Sequence, residues 1–73
     1  MTRDEWIERF CQEIGAEPPS PETVETLLAV AGAAAHGSER TAAPIACWLV
    51  GRAGLDADAA LATARAVSGE TDD

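Results

Sequence analysis

The chain has 73 residues, with 13 Asp and Glu against 5 arginines and no lysine, for a net charge of −8. That length allows one domain at most, and that charge argues against nucleic acid and anionic membrane surfaces, whose phosphates must be met by basic side chains. Of the 34 apolar residues 16 are alanine, which favours helix but adds little area to a core.

The first helix opens on Thr2-Arg3-Asp4-Glu5, a capping box in which the Thr2 hydroxyl accepts from the Glu5 N–H while Glu5 reaches back. Trp6, Ile7, Phe10, Cys11 and Ile14 follow at spacings that predict one apolar face, and Gly15 ends the helix as a left-handed cap. Ala16-Glu17-Pro18-Pro19 must be extended, because each proline pushes its predecessor out of the helical region.

Ser20-Pro21-Glu22 restarts a helix, with Ser20 as N-cap, Pro21 at the first position and Glu22 against the dipole. Val24, Leu27, Leu28 and Ala31 form its inward stripe. From Ala29 to Ala35 it is small and apolar nearly all round, so two flat neighbours can approach it closely, with Gly32 as a candidate contact point. His36-Gly37 reads as a last residue followed by a left-handed stop.

The third helix begins near Thr41 or Ala43, since Pro44 fits only a first turn. The run from Ala42 to Val50 carries no charge on any side, and a helix apolar all round is expected to be buried. At this length it is far short of the ~20 residues a membrane span needs. Ile45, Trp48, Leu49 and Arg52 share one face, and Gly54 ends the helix. Asp56 caps a fourth helix, with Asp58 in its first turn and Leu61, Ala64 or Arg65, and Val67 or Ser68 turned inward, up to Gly69.

The expected fold is therefore all-α: a compact four-helix domain over residues 1–69, with helices near 3–14, 21–36, 42–53 and 57–68. A buried third helix serves as hub, and residues 70–73 form a frayed acidic tail. The expected core is Trp6, Ile7, Phe10, Ile14, Val24, Leu27, Leu28, Ile45, Trp48, Leu49, Leu55, Leu61 and Val67. So small a set makes a protein partner or a homo-oligomer an expectation in its own right.

No apolar leader is visible over Thr2 to Glu13, and two cysteines among apolar neighbours read as buried thiols, so a reduced, cytoplasmic protein is expected. Cys11, Cys47 and His36 are the groups with nucleophilic or basic chemistry. Cys47 lies in an apolar run that disfavours a thiolate, so no catalytic residue is assigned. No ligand spacing points to a metal, and no cofactor is implied.

The one sharp candidate site is the loop before the third helix. His36, Ser38, Arg40 and Thr41 cluster where a helix N-terminus offers free N–H groups, an arrangement suited to a phosphate or a partner's carboxylate. The competing reading is structural. Thr41 or Ser38 caps the helix, Arg40 meets Glu39 or the last carbonyls of the second helix, and His36 complements that helix's dipole. Of the two, the structural role is the expected one for Arg40.

The run Ala35-His36-Gly37-Ser38-Glu39-Arg40-Thr41-Ala42-Ala43-Pro44-Ile45-Ala46-Cys47-Trp48-Leu49-Val50-Gly51 resembles a small actinobacterial helical domain of unknown function. That domain occurs alone and as a C-terminal extension of molybdenum-cofactor guanylyltransferase-like nucleotidyltransferases. Ala35, His36, Arg40, Ala42, Ala43, Pro44, Leu49 and Gly51 carry the resemblance, which extends weakly to the Trp6 helix and to Leu27-Leu28. In the fused forms a proline follows the arginine, where this chain has Thr41. The resemblance implies a link to molybdenum-cofactor metabolism and no activity, since the transferase's glycine-rich nucleotide loop has no match here. The function expected is a non-catalytic interaction or accessory module. The alternative is a sensor or carrier for a phosphate-bearing small ligand held at His36, Ser38, Arg40 and Thr41.

Overall fold

The computed structural model describes residues 1–69, which form four helices and no strand: α1 (Arg3–Ile14), α2 (Pro21–Gly37), α3 (Ala42–Ala53) and α4 (Ala57–Val67). The acidic tail expected at 70–73 lies outside the described residues. The local signals place the boundaries. Glu5 N–H donates to Thr2 Oγ1 at 3.1 Å and Thr2 N–H to Glu5 Oε1 at 2.8 Å, closing the capping box. Ser20 Oγ accepts from Thr23 N–H, and Asp56 Oδ2 from Asp58 and Ala59 N–H. Gly15 and Gly54 terminate α1 and α3 at φ 72° and 64°, conformations that cost other residues dearly.

The hub is α2, not α3. Both substantial helix–helix interfaces belong to α2, one with α3 and one with α4. It supplies Val30, only 1% exposed, and Ala33 to the buried interior, whereas α3 contributes no buried residue. The alanine-rich surface of α2 lets two helices come close, as its composition suggests. What differs is how α3 is turned. It sets Ala42, Ala43, Ala46, Cys47 and Val50 toward the body at half-buried positions, and sends Ile45, Trp48 and Leu49 outward. The Cys47 thiol donates to the Leu27 carbonyl of α2 at 3.9 Å.

Bulky side chains point outward elsewhere too, although α4 sets Leu61, Ala64 and Ser68 inward as its pattern predicts. On α4 the inward stripe is Ala57, Ala60, Leu61, Ala64 and Ser68, while Val67 is 83% exposed. On α1, Ile7 and Cys11 face the body, and Trp6, Phe10 and Ile14 lie on the outside. Among the large residues expected in the core, only Ile7, Val24, Leu27 and Leu61 are even half-buried. The buried set is Cys11, Val30, Ala33 and Ala60. Small side chains permit close helix approach, so they win the interior even though they bury less area each.

Polar contacts pin α4 to α2 at both ends. The Thr26 hydroxyl donates to Glu22 C=O at 3.0 Å and lies 3.4 Å from Asp58 Oδ1. The Ser68 hydroxyl donates to Ala33 C=O at 2.9 Å. Early residues thus pair with early and late with late, so α4 runs parallel to α2. Gly37 is the last residue of α2 and has no positive φ, so it is not the left-handed stop its position suggested. Its value is the absence of a side chain against Ser68. Gly32, by contrast, touches nothing that a methyl group would disturb.

Candidate interaction surface

Between α3 and α4 runs an open, almost wholly apolar groove of ≈ 400 Å³. Val30 and Ala34 of α2 form its floor, Leu49 and Val50 one wall, and Ala64 and Val67 the other. It exists because α3 and α4 each pack on α2 and make at most marginal contact with each other. Trp48, 63% exposed, adds to the apolar surface of α3.

Helix α1 carries a second such surface. Trp6 and Phe10 stack with ring centroids 5.0 Å apart, which holds two aromatic side chains as one unit. Trp6 is nevertheless 55% exposed, and Ile14 continues the stripe one turn later. The backbone of helix α1 lies farther from the other helices than α3 and α4 lie from α2, and its contact with the body is made by Ile7 and the buried Cys11. It lies over a cleft of ≈ 300 Å³ shared with Pro18, Pro19, Pro21 and Val24.

The four loop residues are near one another in sequence, but their groups are not assembled around an anion-sized space by any mutual bond. The Ser38 hydroxyl donates back to Ala34 C=O at 2.7 Å. Thr41 stands at the N-cap in a helical conformation (φ −70°, ψ −11°) with no side-chain cap bond. Ala42 and Ala43 N–H are committed to Glu39 and Arg40 C=O at 2.9 and 3.2 Å, and Pro44 has none to offer. His36 is exposed. The Arg40 guanidinium forms no hydrogen bond or ion pair among the described residues, whose one ion pair is Arg3–Asp4. Serine hydroxyls, not the Arg40 fork, therefore meet the late carbonyls of α2.

Cys11 is buried, Cys47 half-buried, and both are free thiols. Among the described residues no group of three or more His, Cys, Asp or Glu is placed to hold a metal ion, and no helix is long and apolar enough to cross a membrane. The walls of the α3–α4 groove are not singled out by the sequence alone. Their signal was present as a second stripe in α3, Ala43, Ala46, Cys47 and Val50, with the same helical period as the bulky one.

A small all-α domain with its large apolar side chains turned outward is thus the class of protein in hand. The chain belongs to the family described as Domain of unknown function (DUF6457), whose model matches residues 1–72. No curated protein and no solved structure matches it.

Proposed function

We propose that this domain is a non-catalytic interaction module that works through the α1 stripe and the α3–α4 groove. The observation that carries the reading is the placement of Trp6, Phe10, Leu49 and Val67 on the surface of a domain whose interior is built from alanine, valine and cysteine. Bulky apolar side chains dominate the energetics of protein interfaces, and exposed apolar patches of a few hundred Å² mark such sites. The resemblance to extensions of molybdenum-cofactor guanylyltransferase-like nucleotidyltransferases makes a protein of that kind, in an actinobacterial cytoplasm, the partner to test first.

Thermal denaturation separates this from the small-ligand alternative, because whatever binds the native state raises its stability. Inorganic phosphate, nucleotides and pterins are expected to leave the melting temperature unchanged. A molybdenum-cofactor nucleotidyltransferase is expected to raise it, and Val67→Asp to remove the rise. A shift with phosphate or nucleotide that Arg40→Ala abolishes would overturn the proposal and move the function to the loop before α3.

A further inference from the structure

We infer that the α3–α4 groove takes helix α1 of a second copy of this chain. The result is a two-fold dimer in which each copy's Trp6–Phe10–Ile14 stripe lies in the other's groove. The inference rests on the interaction reading above and names the occupant.

Surface area is the first argument. The chain exposes 5575 Å², whereas a folded monomer of 7.6 kDa is expected to expose about 4,300 Å². The excess, about 1,300 Å², is more than enough for the roughly 800 Å² per partner that a standard interface covers. Shape agrees: the radius of gyration is 12.9 Å and the extents are 40 × 22 × 19 Å, against about 11 Å for a well-packed domain of this length. The chain carries surplus surface sufficient for one such association.

The two unpartnered faces also fit each other. Helix α1 and the α3 wall each have 12 residues and α4 has 11, so stripe and groove are both about 17–18 Å long. Knobs at Trp6, Phe10 and Ile14 follow the i, i+4, i+8 spacing by which an amphipathic helix anchors in an apolar groove. Charge does not oppose the pairing. Residues 1–25 hold seven carboxylates against two arginines, while residues 26–69 hold three of each. Arg52 and Arg65 stand on the two helices that wall the groove.

The chain's own α1 is kept from its own groove. Pro18 and Pro19 hold the connection extended, and α1 sits over Pro21 and Val24 at the start of α2. The groove floor begins at Val30, roughly 9–14 Å further along the same helix. Two-fold exchange satisfies both faces of both copies at once, which is the commonest symmetry of small assemblies.

The test is sedimentation of the whole chain from micromolar to millimolar concentration. The expected result is a concentration-dependent rise from 7.6 kDa to twice that mass. Trp6→Asp and Val67→Asp, at positions that are 55% and 83% exposed, should each raise the dissociation constant at least about tenfold. An equimolar mixture of the two variants should associate more tightly than either alone, because it restores one intact stripe in one intact groove. Circular dichroism of each variant checks that it remains helical. A dimer indifferent to Val67→Asp, or a mixture no tighter than its components, overturns the inference.

So does a chain that stays monomeric at millimolar concentration. In that case Trp48→Phe leaves Trp6 as the sole indole, and an emission shift on adding Val67→Asp would show α1 in its own groove. A monomer that still binds the nucleotidyltransferase overturns the second copy and leaves the interaction reading standing. A monomer that binds neither overturns both.

Discussion

Gly37 lies so close to Ser68 that a Cβ built on it would stand 2.7 Å from Ser68 Cβ and 3.2 Å from Ser68 Cα. The late turns of α2 and α4 meet there, where the Ser68 hydroxyl also donates to Ala33 C=O at 2.9 Å. Gly37→Ala gains about 1 kcal/mol of helix propensity but forces apart a contact made partly by backbone, and such overpacking costs about 1–3 kcal/mol. The expected outcome is no gain, and a net loss of up to about 2 kcal/mol, in urea denaturation. Gly32→Ala is the control: open space surrounds that position, so it should stabilise by about 0.5–1 kcal/mol. Adding Ser68→Gly to Gly37→Ala should recover part of the loss. A double-mutant cycle with no coupling would show that the contact is not rigid.

Arg40 and Ser38 make opposite predictions from neighbouring positions. Ser38 holds Ala34 C=O at 2.7 Å, so Ser38→Ala should cost roughly 0.5–1.5 kcal/mol. The Arg40 side chain holds nothing among the described residues, so Arg40→Ala should stay within about 0.5 kcal/mol of wild type. Thermal melts of the two variants side by side decide it. A larger cost at Arg40 would mean that its guanidinium does serve the end of α2 in solution.

Glu5 gives a pH dependence. The Thr2 backbone N–H, and after it the Thr2 hydroxyl, hold the Glu5 carboxyl below its ordinary value. A depressed carboxylate contributes stability that is complete above the unfolded pKa, about 4.3, and is lost as pH falls through the folded value. Helicity of α1 should therefore decline on acidification within that window, and Glu5→Gln should flatten the decline. In a carbon-13 NMR titration Thr2→Ala should return Glu5 only part of the way, since the larger cause, the backbone donor, survives the substitution. Full return would assign the depression to the hydroxyl.

Helix boundaries were legible because they depend on a few residues with local chemistry. Thr2, Ser20 and Asp56 accept from free N–H groups, and Gly15 and Gly54 take up positive φ. The facing of α3 was not legible, whereas α4 sets Leu61, Ala64 and Ser68 inward as its pattern predicts. On α3 the bulky stripe of Ile45, Trp48 and Leu49 and the small stripe of Ala43, Ala46, Cys47 and Val50 share one period. Preferring bulk for the interior chooses the wrong one, because two neighbours must approach α2 closely and only small side chains allow it. Thr41 misleads for a related reason. With Pro44 lacking an N–H and the two preceding amides bonded in a tight turn, no donor is left for its hydroxyl to cap.

Stability should be least uniform at α1. Its capping box fixes its start and its Ile7–Cys11 face is its one inward side, with no close backbone approach to a neighbour, while α2 is packed closely on two sides. Segments with few buried contacts open locally at free energies well below the global value. In hydrogen exchange of the dilute chain, α1 amides should therefore exchange faster than those around Val30 and Ala33. Raising the concentration should slow exchange in α1 and at the α3–α4 groove together if the two faces cover one another between copies. Slowing at α1 without slowing around Leu49 and Val67 would place the contact elsewhere. Uniform protection of all four helices at high dilution would mean that α1 is docked on its own chain more firmly than its sparse contacts account for.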